Sequence, residues 1–225
     1  MKVCTDSCLF GGWIADKIET KKIQPKRILD IGSGTGLLTL MIAQKSDCEI
    51  DAVEIDKSSF LQTKENFAES PWCERLHAFH DDIKYRPSSN KYDLMISNPP
   101  FFENDLKSEN KNTNLAKHHE GLTLIELLQS IKNNLTSDGN FAVLLPFHRT
   151  QYFKNIALDN NFYLIEEVLV KQTPAHSYFR AILFFGTKME LVISRELIIK
   201  NEESYTPEFN FLLKDYYLKI SDRDV

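Results

Sequence analysis

The stretch Arg27-Ile28-Leu29-Asp30-Ile31-Gly32-Ser33-Gly34-Thr35-Gly36 constrains the fold of this chain more than any other ten residues. An apolar strand runs into a turn with glycine at every second position, where the backbone can approach a ligand without a Cβ in the way. Leu37 to Lys45 then reads as a helix, with Leu37, Leu38, Leu40, Met41, Ile42 and Ala43 forming a wide buried face. A second apolar strand, Glu49–Ile55, follows and carries Glu54 at its C-terminal end. Strand, glycine turn, helix and strand open a parallel α/β sheet. The dinucleotide fingerprint requires glycine at the first, third and sixth places. Here the sixth place is Leu37, which makes NAD the weaker ligand.

The alternation continues along the chain. A capping signal, Thr5-Asp6-Ser7, precedes a core-packed helix to Ile18, whose first turn is a candidate to face a ligand. Lys57 to Glu69 reads as an amphipathic helix, with Phe60, Leu61, the stem of Lys64, Phe67 and Ala68 on one side, ended by Ser70-Pro71-Trp72. Strands are expected at Leu76–Phe79, Tyr92–Ser97, Asn140–Pro146, Phe162–Val170 and Arg180–Phe185. Helices are expected from Leu122 to Leu135, stopped by Ser137-Asp138-Gly139, and from Arg149 to Asn160. The short link between the last two strands makes them antiparallel. After a further apolar run, Glu196–Ile199, Phe209, Leu212, Leu213, Tyr216 and Tyr217 mark a terminal helix. The expected architecture is a three-layer, doubly wound, mostly parallel sheet with an antiparallel strand at one edge. A single domain is expected over 1–225: an N-terminal helix and loop over 1–26, a catalytic core over 27–200 and a helical tail over 201–225.

In a doubly wound sheet ligands lie beyond the C-terminal ends of the strands, and candidate side chains collect there. Glu54 can take both hydroxyls of a ribose; the competing reading is a solvated strand-end acid. After the third strand, Asp82 is a candidate acceptor for an adenine amino group, with Ile83 against the ring; the competing reading is an acidic loop. After the fourth comes Asn98-Pro99-Pro100-Phe101. The two prolines cannot donate to the ladder and stiffen the turn. A side-chain amide, a fixed carbonyl and a flat ring within four residues form a cradle for a planar group bearing an NH2. Lys107, Lys111, Lys117, His118 and His119 then give a polar segment a basic bias, either a phosphate contact or a solvated charge run.

Composition excludes several classes. With 225 residues and 42% hydrophobic content the chain suits one soluble globular domain, burying roughly 70% of its unfolded surface. No apolar run reaches the ~20 residues of a membrane helix, and the N-terminus lacks the apolar core of a signal peptide. Cys4, Cys8, Cys48 and Cys73 show no paired zinc spacing and read as free thiols of a reducing cytoplasm; no metal is expected. His77 and His80 read as surface or satisfied histidines. A net charge of -5 argues against indiscriminate nucleic-acid binding while leaving room for a local basic face.

The pattern resembles class I S-adenosylmethionine-dependent methyltransferases. Asp30 to Gly36 is similar to their first cofactor motif, which implicates Asp30, Gly32, Gly34 and Gly36; Glu54 and the adjoining Ile55 match the ribose-binding acid and its neighbour, and Asp82-Ile83 the adenine contact. Asn98-Pro99-Pro100-Phe101 is similar to the Asn-Pro-Pro-aromatic motif of enzymes that methylate exocyclic or amide nitrogens. Together with Met1-Lys2-Val3-x-Thr5-Asp6, Ser70-Pro71-Trp72 and the Leu-Asp-Ile-Gly run ending at Leu38, it resembles bacterial tRNA(Val) adenine N6-methyltransferases, most closely from Met1 to Phe102.

The resemblance implies S-adenosylmethionine as cofactor, bound by the glycine turn, Thr5, Glu54, Ile55, Asp82, Ile83 and Asn98. It also implies Asn98, Pro99 and Phe101 as the catalytic set and the tRNA anticodon loop, at adenine 37, as substrate. No membrane or obligate protein partner is expected. Three departures stand out: Ser7 where glycine is usual, Phe101 where tyrosine is common, and a start at Met-Lys-Val where members usually carry a preceding segment, which leaves Met1 open as an internal methionine. Alternatives are glutamine-amide methylation of a release factor, guanine N2 or cytosine N4 methylation, an NAD enzyme, and a non-catalytic binding protein that keeps the fold.

Overall fold

The computed structural model describes residues 4–86, 91–99 and 122–217. Eight strands form one sheet in the order β3-β2-β1-β4-β5-β7-β6-β8. They are β1 (Arg27–Ile31), β2 (Glu49–Glu54), β3 (Leu76–His80), β4 (Tyr92–Ser97), β5 (Leu135–Pro146), β6 (Tyr163–Lys171), β7 (Arg180–Gly186) and β8 (Ile193–Ile198). Only β7 runs against the others, paired on both sides with β5 and β6. The antiparallel pairing expected of the short β6–β7 link is therefore present, and β8 adds one further parallel strand outside it.

Strict alternation along the strands makes the three layers. Ile28, Ile50, Ile96, Leu144, Val168 and Phe184 face one core, shared with α1 (Thr5–Glu19), α2 (Leu37–Ala43), α3 (Lys57–Glu69) and α6 (Pro207–Leu213). Leu29, Val53, Met95, Phe141, Leu183 and Phe185 face the other, covered by α4 (Leu124–Asn134) and α5 (Thr150–Asp159). Because side chains alternate between faces, a one-residue slip in any strand would exchange the two cores.

Local signals set several boundaries. Thr123 and Glu126 form a reciprocal capping box at the start of α4, and Thr206 caps α6, with Pro207 at the first helical position. The terminal helix ends at Leu213, so Tyr216 and Tyr217 follow it as a turn. β5 begins at Leu135, five residues before the expected Asn140: Tyr92 pairs with Leu135 before a register shift, and so the Ser137-Asp138-Gly139 stretch belongs to the strand. In α3 the buried positions are Thr63 and Phe67, while Leu61, Lys64 and Ala68 face solvent. The hydroxyl of Thr63 is drawn inward because it donates to the Gly34 carbonyl at 2.6 Å.

Helix α1 is pinned at both ends. Near its C-terminus the buried Lys17 ammonium donates to Glu166 of β6 at 2.5 Å and lies 4.5 Å from the Trp13 ring. Arg195 of β8 reaches the other oxygen of Glu166 at 3.3 Å, so the buried carboxylate is paired twice. Midway, a Cβ on Gly12 would come within 2.6 Å of the Leu212 carbonyl, so glycine is what lets α1 lie against α6. At the N-terminus the cap position is Cys4, without a side-chain cap. The expected capping signal does not cap. Asp6 instead accepts from the Ser7 N–H at 3.0 Å and from Arg180 Nε at 2.8 Å, which fixes the first turn of α1 to the start of β7.

No helix among the described residues is long and apolar enough to cross a membrane. All four cysteines are free, and the described residues contain no cluster able to hold a metal ion.

Candidate active site

The strands that carry the candidate residues end level with one another. Ile31 of β1 pairs with Val53 of β2 on one side and with Ser97 of β4 on the other, and Glu54 pairs with His80 of β3. The glycine turn, Glu54, Asp82 and Asn98 therefore emerge along a single sheet edge. The chain order reverses between β1 and β4, the point where an open α/β sheet leaves a crevice.

The turn is held by its own backbone and by two neighbouring elements. Gly32 and Ser33 donate to the Val53 carbonyl at 2.9 and 3.2 Å, and Gly36 donates to the Ser33 carbonyl at 2.9 Å. Gly32, Gly34 and Gly36 have φ of 70°, 59° and 81°, values that a side chain would strain. At Gly36 a Cβ would also strike the Phe67 ring at 2.6 Å; at Gly32 it would meet nothing within 4 Å. One glycine is thus required for packing against α3, and the other leaves an open approach to the backbone. Asn66 Nδ2 donates to the Thr35 carbonyl at 2.9 Å and completes the clasp from α3.

Two acids serve this turn. Glu54 accepts the Gly34 N–H through Oε2 and the Asp56 N–H through Oε1, both at 2.8 Å, so its carboxylate is aimed by two backbone donors and keeps lone pairs for a diol. Asp30 is fully buried beneath the turn. Its Oδ2 accepts from Thr39 Oγ1 at 2.9 Å and its Oδ1 has no protein partner. Burial pushes the Asp30 carboxyl up to about 7, with the nearby Glu54 charge adding to the rise and the Thr39 hydrogen bond opposing it.

Asn98 follows β4 directly. Ser97 Oγ donates to the Ile31 carbonyl at 2.9 Å and ties the strand end to β1. Asn98 Nδ2 donates to Ser7 Oγ at 2.8 Å, while its Oδ1 is buried without a partner. The amide is thus oriented by the first turn of α1, and its acceptor is left for something else. Three of the five buried, unpartnered side-chain polar atoms among the described residues, on Asp30, Ser33 and Asn98, belong to the glycine motif or this strand end. Buried polar groups are ordinarily paired, and this concentration marks a place built for a polar ligand.

The remaining candidates divide. Ile55 stands 65% exposed beside Glu54, a flat apolar surface at the crevice. Asp82 is partly engaged by its own turn, accepting from the Lys84 N–H at 3.0 Å through Oδ1, with Lys84 Nζ 3.5 Å from Oδ2. Ile83 is buried among Leu29, Val53 and Tyr92 and helps to anchor that turn. Thr5 is exposed at the start of α1. His77 pairs with Glu49 at 3.0 Å, and His80 bonds the Ile55 carbonyl and stacks on Phe60, so both histidines are satisfied at the surface. Pro99 is buried. Pro100, Phe101 and the segment with Lys107, Lys111, Lys117, His118 and His119 lie outside the described residues.

Comparison with known proteins decides the family. The methyltransferase small domain matches residues 13–170. The tRNA1(Val) (adenine(37)-N6)-methyltransferase of Flavobacterium johnsoniae is 38% identical over 98% of this chain and 94% of its own length. That of Parabacteroides distasonis is 37% identical over 98% of this chain and 92% of its own. The chain belongs to the tRNA1(Val) (adenine(37)-N6)-methyltransferase family. Solved structures share the fold at low identity. A predicted O-methyltransferase of Agrobacterium tumefaciens superposes with a TM-score of 0.71 at 16% identity, covering 92% of this chain and 95% of that one. A glycopeptide N-methyltransferase complexed with S-adenosyl-L-methionine gives 0.58 at 11% identity, covering 78% and 93%.

Within this methyltransferase family member, sequence reading singled out Ser7 as a departure without assigning it a role. Its bond to Asn98 spans 91 positions, and no local signal points to it. Asp6 beside it is engaged by Arg180 and by the Ser7 N–H.

Proposed function

We propose that this protein transfers a methyl group from S-adenosylmethionine to the N6 nitrogen of adenine 37 in the anticodon loop of tRNA(Val). The observation that carries the reading is the Asn98 amide, held through Nδ2 by Ser7 with Oδ1 buried and unpartnered beside the glycine turn.

The residues present fit the cofactor. The open backbone at Gly32 suits its methionine portion, the Glu54 carboxylate its ribose hydroxyls, and exposed Ile55 with Asp82 its adenine. The Glu54 carboxylate also adds negative potential suited to a cation. When bound, S-adenosylmethionine supplies an electrophilic methyl group that needs no metal. This chain's own task is the nucleophile. The N6 lone pair of adenine is delocalised into the ring, and the amino group becomes reactive as that conjugation is lost. Asn98 Oδ1 and the Pro99 carbonyl each accept one amino hydrogen, which turns the nitrogen towards a tetrahedral geometry. The same two acceptors stabilise positive charge as it grows on nitrogen. An amide neither gains nor loses a proton near neutral pH, so Asn98 orients and stabilises rather than acting as a base, and the proton shed by the methylated nitrogen passes to water. Phe101 stacks on the extruded base, whose extrusion costs less in a loop than in a duplex. Residues 1–225 act as one unit in this reading, and the cytoplasm, where tRNA is modified, is its place of action.

The test is direct. The protein is incubated with labelled S-adenosylmethionine and unmodified tRNA, and the RNA is digested to nucleosides. Label in N6-methyladenosine is expected, and mapping should place it at position 37 of tRNA(Val). Label confined to protein amide, or none in RNA despite binding of S-adenosylhomocysteine, would overturn the substrate assignment.

A further inference from the structure

Beyond β5 the chain turns through Phe147-His148-Arg149 into α5, and this corner gathers three aromatic rings and two cations. Phe147 and Tyr152 are 38% and 42% exposed. The Arg149 guanidinium carbon lies 5.1 Å from the Tyr152 ring centre. Phe147 leans on Tyr178 at 5.2 Å, and Lys171 Nζ lies 4.7 Å from the other ring of that pair, Tyr178. Glu196, which accepts from the Tyr178 hydroxyl at 2.7 Å, is also paired with Lys171 at 2.7 Å, so its charge is compensated.

The corner is continuous with the active site. The Phe147 N–H donates to the Phe179 carbonyl at 3.1 Å, Arg180 beside it holds Asp6, and Ser7 next to Asp6 holds Asn98. Ser97 pairs with Val143 on the neighbouring strand, four residues before Phe147, so the Phe147 backbone lies at most about 13 Å beyond that level in the strand direction, at ~3.3 Å per residue. A loop whose adenine reaches Asn98 has its flanking nucleotides within that distance.

We infer that Phe147, Arg149 and Tyr152, buttressed by Tyr178, form the surface on which single-stranded RNA flanking the target adenine binds; this rests on the RNA substrate proposed above. The chemistry suits that partner. Rings that present a face to solvent stack bases of any identity, and guanidinium beside them serves both a base face and a phosphate. On a chain of net charge -5 a polyanion requires such a local site.

The test uses the full chain, a synthetic anticodon stem-loop RNA with unmodified adenine 37, and binding measured across a salt series. Each of Phe147→Ala and Tyr152→Ala should weaken RNA binding about fivefold or more. Arg149→Gln should lower the slope of log affinity against log salt by roughly 0.7 to 1. S-adenosylhomocysteine affinity and melting temperature should stay at wild-type values, and turnover at saturating RNA should fall far less than affinity. Wild-type affinity and slope in all three variants, while the parent methylates the RNA, would overturn the inference. So would a parallel loss of cofactor affinity or of folding, or a dimer that the variants turn into monomers. A parent that neither binds nor methylates the RNA would instead overturn the functional reading beneath it.

Discussion

The glycine turn and the Asn98 strand end sit side by side on one sheet edge, yet they are held in different ways. The turn is held by residues close in sequence or one crossover away: Val53, Glu54, Thr63 and Asn66 all reach it from β2 and α3. Asn98 is held from far away. Its amide rests on Ser7, and the turn of helix that carries Ser7 rests on Arg180, a separation of 174 positions. In the function proposed above the turn is the cofactor side and the Asn98 end the substrate side, so the cofactor side is a cradle folded from residues near one another in the chain. The substrate side takes shape only when the N-terminal helix docks against β4 and β7.

The largest effect should come from breaking the substrate side at its centre. Asn98→Ala removes the acceptor that strengthens as charge develops on nitrogen, and turnover should fall about 10²- to 10³-fold, the loss seen when one transition-state hydrogen bond is deleted. Isothermal titration with S-adenosylhomocysteine should give nearly parental affinity. A joint loss of both would place Asn98 in the scaffold. Glu54→Ala strikes the other side and should show the converse split. The Gly34 N–H aims the carboxylate, which in the proposed function takes the ribose diol, so cofactor affinity should fall roughly 10- to 100-fold. Turnover at saturating cofactor should change much less. An unchanged Kd would take Glu54 out of the site.

What was legible in the sequence follows the same division. Three glycines with positive φ after an apolar strand, and an acid ending the next strand, are local patterns, and the structure places them together at a strand end. The apolar runs that predict the strands also built both cores, because successive residues of a strand face opposite sides of the sheet. The early start of β5 was hidden because Ser137-Asp138-Gly139 looks like a stop; pairing of Leu135 with Tyr92 overrode that local preference. Asp6 looked like a cap and became an ion-pair partner, since only the fold brings Arg180 to it. Burial of Ile83 and exposure of Ile55 were not legible, since both are isoleucines next to a strand-end acid.

A smaller effect separates the cofactor side's two acids. Asp30 titrates at about 7 in the folded chain, against an ordinary value of 3.8, because it is buried. An acid with a raised pKa holds its proton longer when folded, so the native state binds more protons than the unfolded one across that window. Stability from this group is therefore complete below 3.8, declines as pH rises and is fully lost above about 7. Between pH 5 and 7 the decline amounts to about 2 to 3 kcal/mol, at 1.36 kcal/mol for each pH unit. Urea unfolding of the parent should show that loss and Asp30→Asn should not, since its amide carries no titrating proton. Equal slopes would mean that water reaches the carboxyl.

The finest probe of the comparison is Ser7. If the amide of Asn98 is oriented from α1, Ser7→Ala removes the acceptor for Nδ2 and leaves the unpartnered Oδ1 free to turn. One neutral hydrogen bond contributes ~1 kcal/mol, so turnover should fall about fivefold. The loss should appear in kcat, because the amide is misaligned in the transition state, while KM for tRNA and affinity for S-adenosylhomocysteine hold. Ser7→Thr, which keeps the hydroxyl, should recover most of the rate. A purely structural role predicts a different pattern, with a lowered melting temperature shared by both variants and kcat unmoved. Measured together, the four quantities distinguish a serine that aims the catalytic amide from one that merely begins a helix. Arg180→Gln, acting one step farther back through Asp6, should lower kcat in the same direction as Ser7→Ala. Combined with Ser7→Ala it should add little, since both act through a single contact.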